Sequence, residues 1–304
     1  MDVPAIALRG DAFVVPMARA IIDAIVRGIH KLGSQVRLRS HVSEIVVEEG
    51  SAVGVKLGGS TREPGRFISA RKAVISNASV WDTFGSLVSP EHLTPSYIRE
   101  AQDTPVIESF MHLHLAIPAK GLEPFIGHHA VIIDSTKDIA EPGNTVMISV
   151  PTVWSPGMAP AEWHIVHAYT LEGYDKWPEL AKHRPSYVAA KKAAAEPLYT
   201  AVRSVFPDLD ARLSHPQAIV RIGSPLTHAR FCRRHKGSYG PGIVAGQAEF
   251  PWPSTPIQNL LRVGDSVFPG IGVPAAAASG MIAATSLVGF HDHVALVDRV
   301  FPKE

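Results

Sequence analysis

Residues 260–285, reading LLRVGDSVFPGIGVPAAAASGMIAAT, constrain the fold more than any other stretch of the chain. A short apolar run ends at Gly264-Asp265, a turn spaced by glycine and proline follows, and an alanine-rich run comes next. That order reads as strand, tight turn and helix. It sets an acidic side chain and bare backbone N–H groups at a strand-to-helix junction, where the helix dipole favours the anionic parts of a nucleotide. Gly270-Ile271-Gly272-Val273-Pro274-Ala275 matches the G-x-G-x-x-A form of the dinucleotide fingerprint, and Pro274 suits a first helical turn. The complete fingerprint, however, requires a βαβ unit and an acidic residue about 20 positions later. Too little chain follows the turn to build one. The turn is therefore read as a cofactor contact, because Asp265 precedes it, and not as a primary dinucleotide site.

Residues 266–290 contain no Asp, Glu, Lys or Arg, which raises the question of a membrane span. Prolines and glycines interrupt the stretch, and alanine supplies most of its apolar character, so a buried helix is the expectation. The 304 residues suffice for two domains, and a net charge of +1 gives no reason to expect nucleic acid as a partner. A single cysteine, Cys232, excludes an internal disulfide and fits a reducing compartment. The opening MDVPAIALRGDAF lacks the apolar core of a secretory signal.

Residues 17–32 repeat Ile21, Ile22, Ile25, Val26 and Ile29 on one helical face, with Gly33 as a C-cap. Alternation at Val36, Leu38 and Val42, then at Ile45 and Val47, reads as strand, with a hairpin turn at Glu49-Gly50-Ser51. Residues 72–78, KAVISNA, read as a compact buried strand with polar residues at its end. Between about 80 and 222 the texture changes. Strands are expected at 109–117, 145–150 and 164–171, with one long helix over 185–205. The expected fold class is thus α/β plus α+β. Residues 1–80 and 223–304 build one domain from both chain ends, and a mainly antiparallel domain, 81–222, is inserted between them.

Among candidate chemistries, His112-Leu113-His114 would put two imidazoles on one face of a strand. His128-His129 and His164-x-x-His167 enlarge the pool of ligands. No paired cysteines, acid-rich spacing or H-E-x-x-H accompanies them, and no metal is expected. Gly-x-Ser-x-Gly is absent. Cys232 beside Arg230, Arg233 and Arg234 is read as an ordinary free thiol, and the basic run 230–236 as a surface or cofactor-facing loop. No catalytic residue is assigned.

Several segments together resemble one family. RVGDSVFPGIGVPAAAASGMIAAT resembles the carboxy-terminal flavin motif of FAD-dependent phytoene desaturases and carotenoid isomerases. GSPLTHARFCRRHKGSYGPG, SFMHLHLAI and HVSEIVVEEGSAVGVKL followed by KAVISNAS are similar to the isomerase-like branch. The resemblance implies a partial FAD-binding, amine-oxidase-like domain with an inserted substrate domain. It implies that Asp265 hydrogen-bonds the ribityl or pyrophosphate region and that Gly264 and Gly270 also belong to the cofactor-binding set. Gly272, Val273 and Pro274 would set a helix start under the isoalloxazine. Val42 would meet the adenine through its backbone, and Asn77 and Ala78 would stand at a strand end near the cofactor.

The resemblance further implies that the flavin carries the chemistry while the protein positions a long apolar polyene or carotenoid. Desaturation moves a hydride to the flavin, and isomerisation proceeds with no net redox change. The family's opening βαβ unit is not matched, and its Gly-Gly turn reads Phe13-Val14-Val15-Pro16-Met17 here. The expectation is therefore the carboxy-terminal half of a flavin site, with a protein partner over the exposed sheet edge and contact with a membrane surface. Plastid, or bacterial cytoplasm and membrane surface, is the expected location. The alternative is a catalytically inactive relative serving as a structural or binding subunit.

Overall fold

The computed structural model describes residues 15–300, apart from 60–64, 123–124, 245 and 247–248, with backbone alone for 15–19. Phe13 and Val14 of the divergent turn lie outside the described residues. Helix α1 (Val15–Lys31) precedes strands β1 (Val42–Glu48), β2 (Ser51–Leu57), β3 (Phe67–Ser69) and β4 (Val74–Ser76), then helix α2 (Pro95–Gln102). Strands β5 (Ser109–Pro118), β6 (His128–Ile132), β7 (Thr145–Ser149) and β8 (Trp163–Glu172) lead to helix α3 (Arg184–Val205). Next come β9 (Ile219–Gly223), α4 (Pro225–Phe231), β10 (Leu260–Arg262), α5 (Val273–Ser286) and α6 (Phe290–Val300). The architecture is a mixture of helix and sheet in two compact units. One joins the chain up to Val36 with Glu108–Tyr239, and the other joins Arg37–Ile107 with the chain from Gly240.

The first unit is built on a five-stranded antiparallel sheet of order β6-β7-β8-β5-β9. Side chains alternate between the two faces of a strand, and SFMHLHLAIP uses that period fully. Met111, Leu113, Leu115 and Ile117 are completely buried, in one core with Leu198, Ala201 and Val202 of α3 and with Phe206. Each such aliphatic contributes roughly 1.5–3 kcal/mol by leaving water. His112 and His114 stand on the opposite face. In α1 the apolar stripe predicted from the sequence is present, but Ile21, Ile22 and Ile25 remain more than half exposed.

The second unit contains a three-stranded antiparallel sheet, β1-β2-β3, and a parallel pair, β10-β4. Glu49 and Gly50 both have positive φ (48° and 78°), the primed hairpin turn whose twist suits two adjacent strands. The strand expected through Val36 and Leu38 does not form. Arg39 adopts φ 54°, which breaks an extended run, and Leu38 is 83% exposed, so no partner face rewards the alternation. The core of this unit gathers Ile45, Val47, Val74, Trp81, Phe84 and Leu260. Among the described residues no helix is long and apolar enough to cross a membrane. The uncharged stretch 266–290 divides into the turn, the 14-residue α5 and the start of α6.

Candidate functional site

Two places in the molecule concentrate functional groups, one in each unit. In the second unit, β4 and β10 run parallel with Leu260 opposite Val74 and Arg262 opposite Ser76. Both strands therefore release their chains at the same end. Asn77-Ala78 leaves β4 there, and Val263-Gly264-Asp265 leaves β10. The carboxyl end of parallel strands is where open α/β sheets take ligands, because no side-chain ladder closes it and the following helix points its N-terminus there.

The turn is shaped by backbone requirements. Gly264 has φ 101°, and a Cβ at this position would run into Asn77 Oδ1. Only glycine lets the two strand ends approach this closely. Gly264 N–H donates to Ser279 Oγ of α5 at 2.8 Å, which ties the turn to the helix behind it. Asp265 is half-buried, and one carboxylate oxygen accepts from Ser266 Oγ at 3.3 Å. Gly270 has φ 115° and faces the Phe250 ring, 2.6 Å from where a Cβ would lie. Gly272 is the N-cap of α5 at φ 107°, without a side-chain cap, and the first turn holds no acidic residue. Val273 and Pro274 open the helix and are exposed.

An uncapped, glycine-led helix start of this kind offers its N–H groups and positive dipole end to an anion. Arg262 anchors the turn from below. It is buried, donates from Nη2 to the Ser266 carbonyl at 2.9 Å, and lies 5.3 Å from the Phe84 ring centre. Asn77, Ala78, Gly264 and Asp265 are thus gathered at one end of the strand pair, and Gly270, Gly272, Val273 and Pro274 complete the same turn. Val42 stands elsewhere. It opens β1, at the end of the hairpin opposite the Glu49-Gly50 turn, where Gly50 and Ala52 bond to Gln258.

The other concentration is the face of the antiparallel sheet opposite the α3 core. Register pairs His114 with His167 and His112 with Tyr169 across β5 and β8. The rings stack: His114 and His167 have centroids 4.4 Å apart and planes within 1°, and His112 Nδ1 lies 2.8 Å from His167 Nε2. His228 of α4 approaches His112 with a centroid separation of 4.4 Å. Burial is the main reason that all these rings hold their protons weakly. The His112 pKa falls to about 2, His167 to about 3 and His114 to about 4, with the neighbouring imidazoles adding to the effect.

The pair at 112 and 114 was legible from alternation, but the convergence of His167 and His228 was not, since it depends on strand register and on where α4 returns. Within His164-x-x-His167 the odd spacing puts the rings on opposite faces, and His164 Nδ1 instead lies 2.9 Å from Thr152 Oγ1. His128 is exposed and packs on Trp154. Cys232 is exposed at the end of α4.

No family model matches the chain. The chloroplastic prolycopene isomerase of Arabidopsis thaliana is 35% identical over 271 residues, which is 87% of this chain and 43% of that protein. Prolycopene isomerase 2 of an Oncidium hybrid cultivar is 33% identical across 91% of this chain and 47% of its own length. A neurosporene-forming phytoene desaturase of Cereibacter sphaeroides is 26% identical across 87% of this chain and 51% of its own length. The chain spans about half the length of these relatives. An oxidoreductase from Methanosarcina mazei and the PF1083 protein of Pyrococcus furiosus share its fold. Each has a TM-score of 0.52 over 88% of this chain, at 21% and 19% identity, covering 54% and 51% of those structures.

Proposed function

We propose that this chain, a homologue of the prolycopene isomerases and phytoene desaturases, forms part of a flavin-dependent enzyme acting on a long apolar polyene of the carotenoid class. The observation that supports this reading best is the meeting of Asn77 and Gly264 at the carboxyl end of the parallel strands, under an uncapped helix start. A cradle that any Cβ would fill, with an exposed amide and a half-buried carboxylate at its rim, fits the sugar–phosphate part of a dinucleotide. In this reading the second unit is a partial FAD-binding domain and the antiparallel unit faces the substrate.

The family resemblance supports the following roles for these residues. Asp265 would accept hydrogen bonds from cofactor hydroxyls, and the α5 N-terminus at Gly272, Val273 and Pro274 would offer N–H groups and dipole to negative charge. Asn77 and Ala78 would border the same cofactor, and the Val42 backbone would meet its adenine. Arg262 and Ser279 hold the turn rigid, which matters because an ordered site spends less binding energy on ordering itself. FAD, when bound, supplies either hydride acceptance for desaturation or reversible reduction for double-bond isomerisation. Plastid residence is part of the proposal, in line with the chloroplastic relatives, as are a protein partner along the sheet edge and contact with a membrane surface.

The test is flavin binding by the purified chain. A yellow, stoichiometric preparation, or quenching of FAD fluorescence on titration, is the expected result, with loss of binding in Asp265→Asn and Gly264→Val. A colourless chain that takes up no FAD on reconstitution overturns the proposal.

A further inference from the structure

We propose that His112, His114 and His167 form a site for one divalent first-row transition-metal ion, with His228 positioned to close its fourth side. The site lies on the face of the antiparallel sheet opposite the α3 core. It stands on geometry independent of the flavin reading.

Three observations carry it. Each of the three histidines offers a ring nitrogen, and these nitrogens all lie within 4.8 Å of one another. Imidazole nitrogens around a tetrahedral zinc ion, each about 2.0–2.1 Å from the metal, stand roughly 3.4 Å apart. The cluster is compact enough for that spacing: His112 Nδ1 and His167 Nε2 are 2.8 Å apart, and no pair exceeds 4.8 Å. The rings are stacked parallel, so occupancy requires at least one to rotate until its lone pair points inward.

The second observation is that polar atoms are left over. Among the described residues, His114 Nδ1 and His228 Nε2 are buried and have no hydrogen-bond partner. Buried polar atoms are nearly always satisfied, and an orphaned pair beside two further imidazoles is the arrangement a cation would resolve. The third is the company they keep. Phe110 and Tyr169 flank His112, which limits water access. The three ligands are all nitrogen, with no carboxylate among them. This donor set suits Zn²⁺, Co²⁺, Ni²⁺ or Cu²⁺, and not the oxygen-seeking Ca²⁺ or Mg²⁺.

The test starts from chelator-treated full chain, titrated with Co²⁺ and separately with Zn²⁺, with the metal content read by elemental analysis. One ion per chain is expected, with the intense visible bands of four-coordinate Co²⁺. His114→Gln and His167→Gln should each weaken binding by roughly 10–100-fold or more, since loss of a mere outer-shell partner costs that much. His128→Gln, an exposed histidine on another strand, should leave binding unchanged. Wild-type chain that retains no stoichiometric ion overturns the proposal, as does binding indifferent to the cluster variants. Where the variants fold poorly, Zn²⁺-induced shifts of the wild-type imidazole resonances decide it. Shifts confined to these rings support the site, and their absence sinks it.

Discussion

The strand-end turn and the histidine face illustrate two ways of building a site. At the turn, function rests on backbone: positive-φ glycines at 264, 270 and 272, an uncapped helix start and one half-buried carboxylate. On the sheet face it rests on side chains that strand pairing brings into a stack. The first kind is intolerant of added atoms. The second kind tolerates changes of shape and is governed by protons. The two regions should therefore break under different perturbations.

The largest effect is expected at Gly264. Valine there must adopt a strained φ and push Asn77 away, at a cost of about 4 kcal/mol. Gly223, which pairs with His112 on the histidine face, has no positive φ, and an added Cβ meets only ordinary contacts at 3.4 Å or more. Gly223→Ala should therefore cost under about 1 kcal/mol. Urea midpoints measure both, and equal costs would erase the distinction between a backbone-built and a side-chain-built site. Next in size, Leu113→Ala on β5 should cost about 3 kcal/mol by opening a cavity against α3. His114→Gln, one residue along on the other face, should cost far less, because it removes a ring nitrogen that has no partner.

The same division explains what the sequence made legible. The strand–turn–helix at 260–285 is encoded contiguously, so local spacing alone assigns its glycines, Asp265 and Pro274 to one turn. Asn77 joined them through family resemblance, and the parallel pairing of β4 with β10 then placed it beside Gly264. Long periodic elements such as β5, β8 and α3 were also readable, because alternation and helical spacing are strong local signals. The false strand at Val36 and Leu38 had the right alternation without a partner sheet, and pairing, not pattern, makes a strand. The four-histidine cluster was hidden for a different reason. Residues 112, 167 and 228 become neighbours only through the register of β5 on β8 and the return of α4, neither of which is written in local spacing.

Acid should separate the regions next, at about 2 kcal/mol. Histidine in the unfolded chain titrates near 6.5, whereas His112, His114 and His167 in the fold bind protons only at about 2, 4 and 3. Below pH 6.5 the unfolded state thus binds more protons, and stability must fall as the pH falls from about 6.5 toward 4. Between pH 7.5 and 6.0 three such rings account for the 2 kcal/mol in metal-free protein. His164 and His228, also shifted downward mainly by burial, add with the same sign. Chemical denaturation across this window measures the slope. A triple variant with Gln at 112, 114 and 167 should lose most of it, while Gly264→Val should shift the curve without changing its slope.

The smallest effect concerns what stiffens the turn. Ser279 Oγ accepts from Gly264 N–H at 2.8 Å and donates back to the Ala276 carbonyl at 2.7 Å, so one buried hydroxyl joins the turn to the first half of α5. Ser279→Ala keeps the volume and leaves the Gly264 N–H without its acceptor, for a cost of about 1 kcal/mol in stability. Its effect on flavin affinity should be larger than its effect on stability, because the loosened turn must be ordered again on binding. Thr170, which donates to the Thr145 carbonyl within the antiparallel sheet at 2.7 Å, provides the matched control. Thr170→Val should cost a similar amount of stability and leave FAD binding unchanged. Titrating FAD into both variants decides the point: equal losses of affinity would mean that the turn's rigidity contributes nothing specific to the cofactor site.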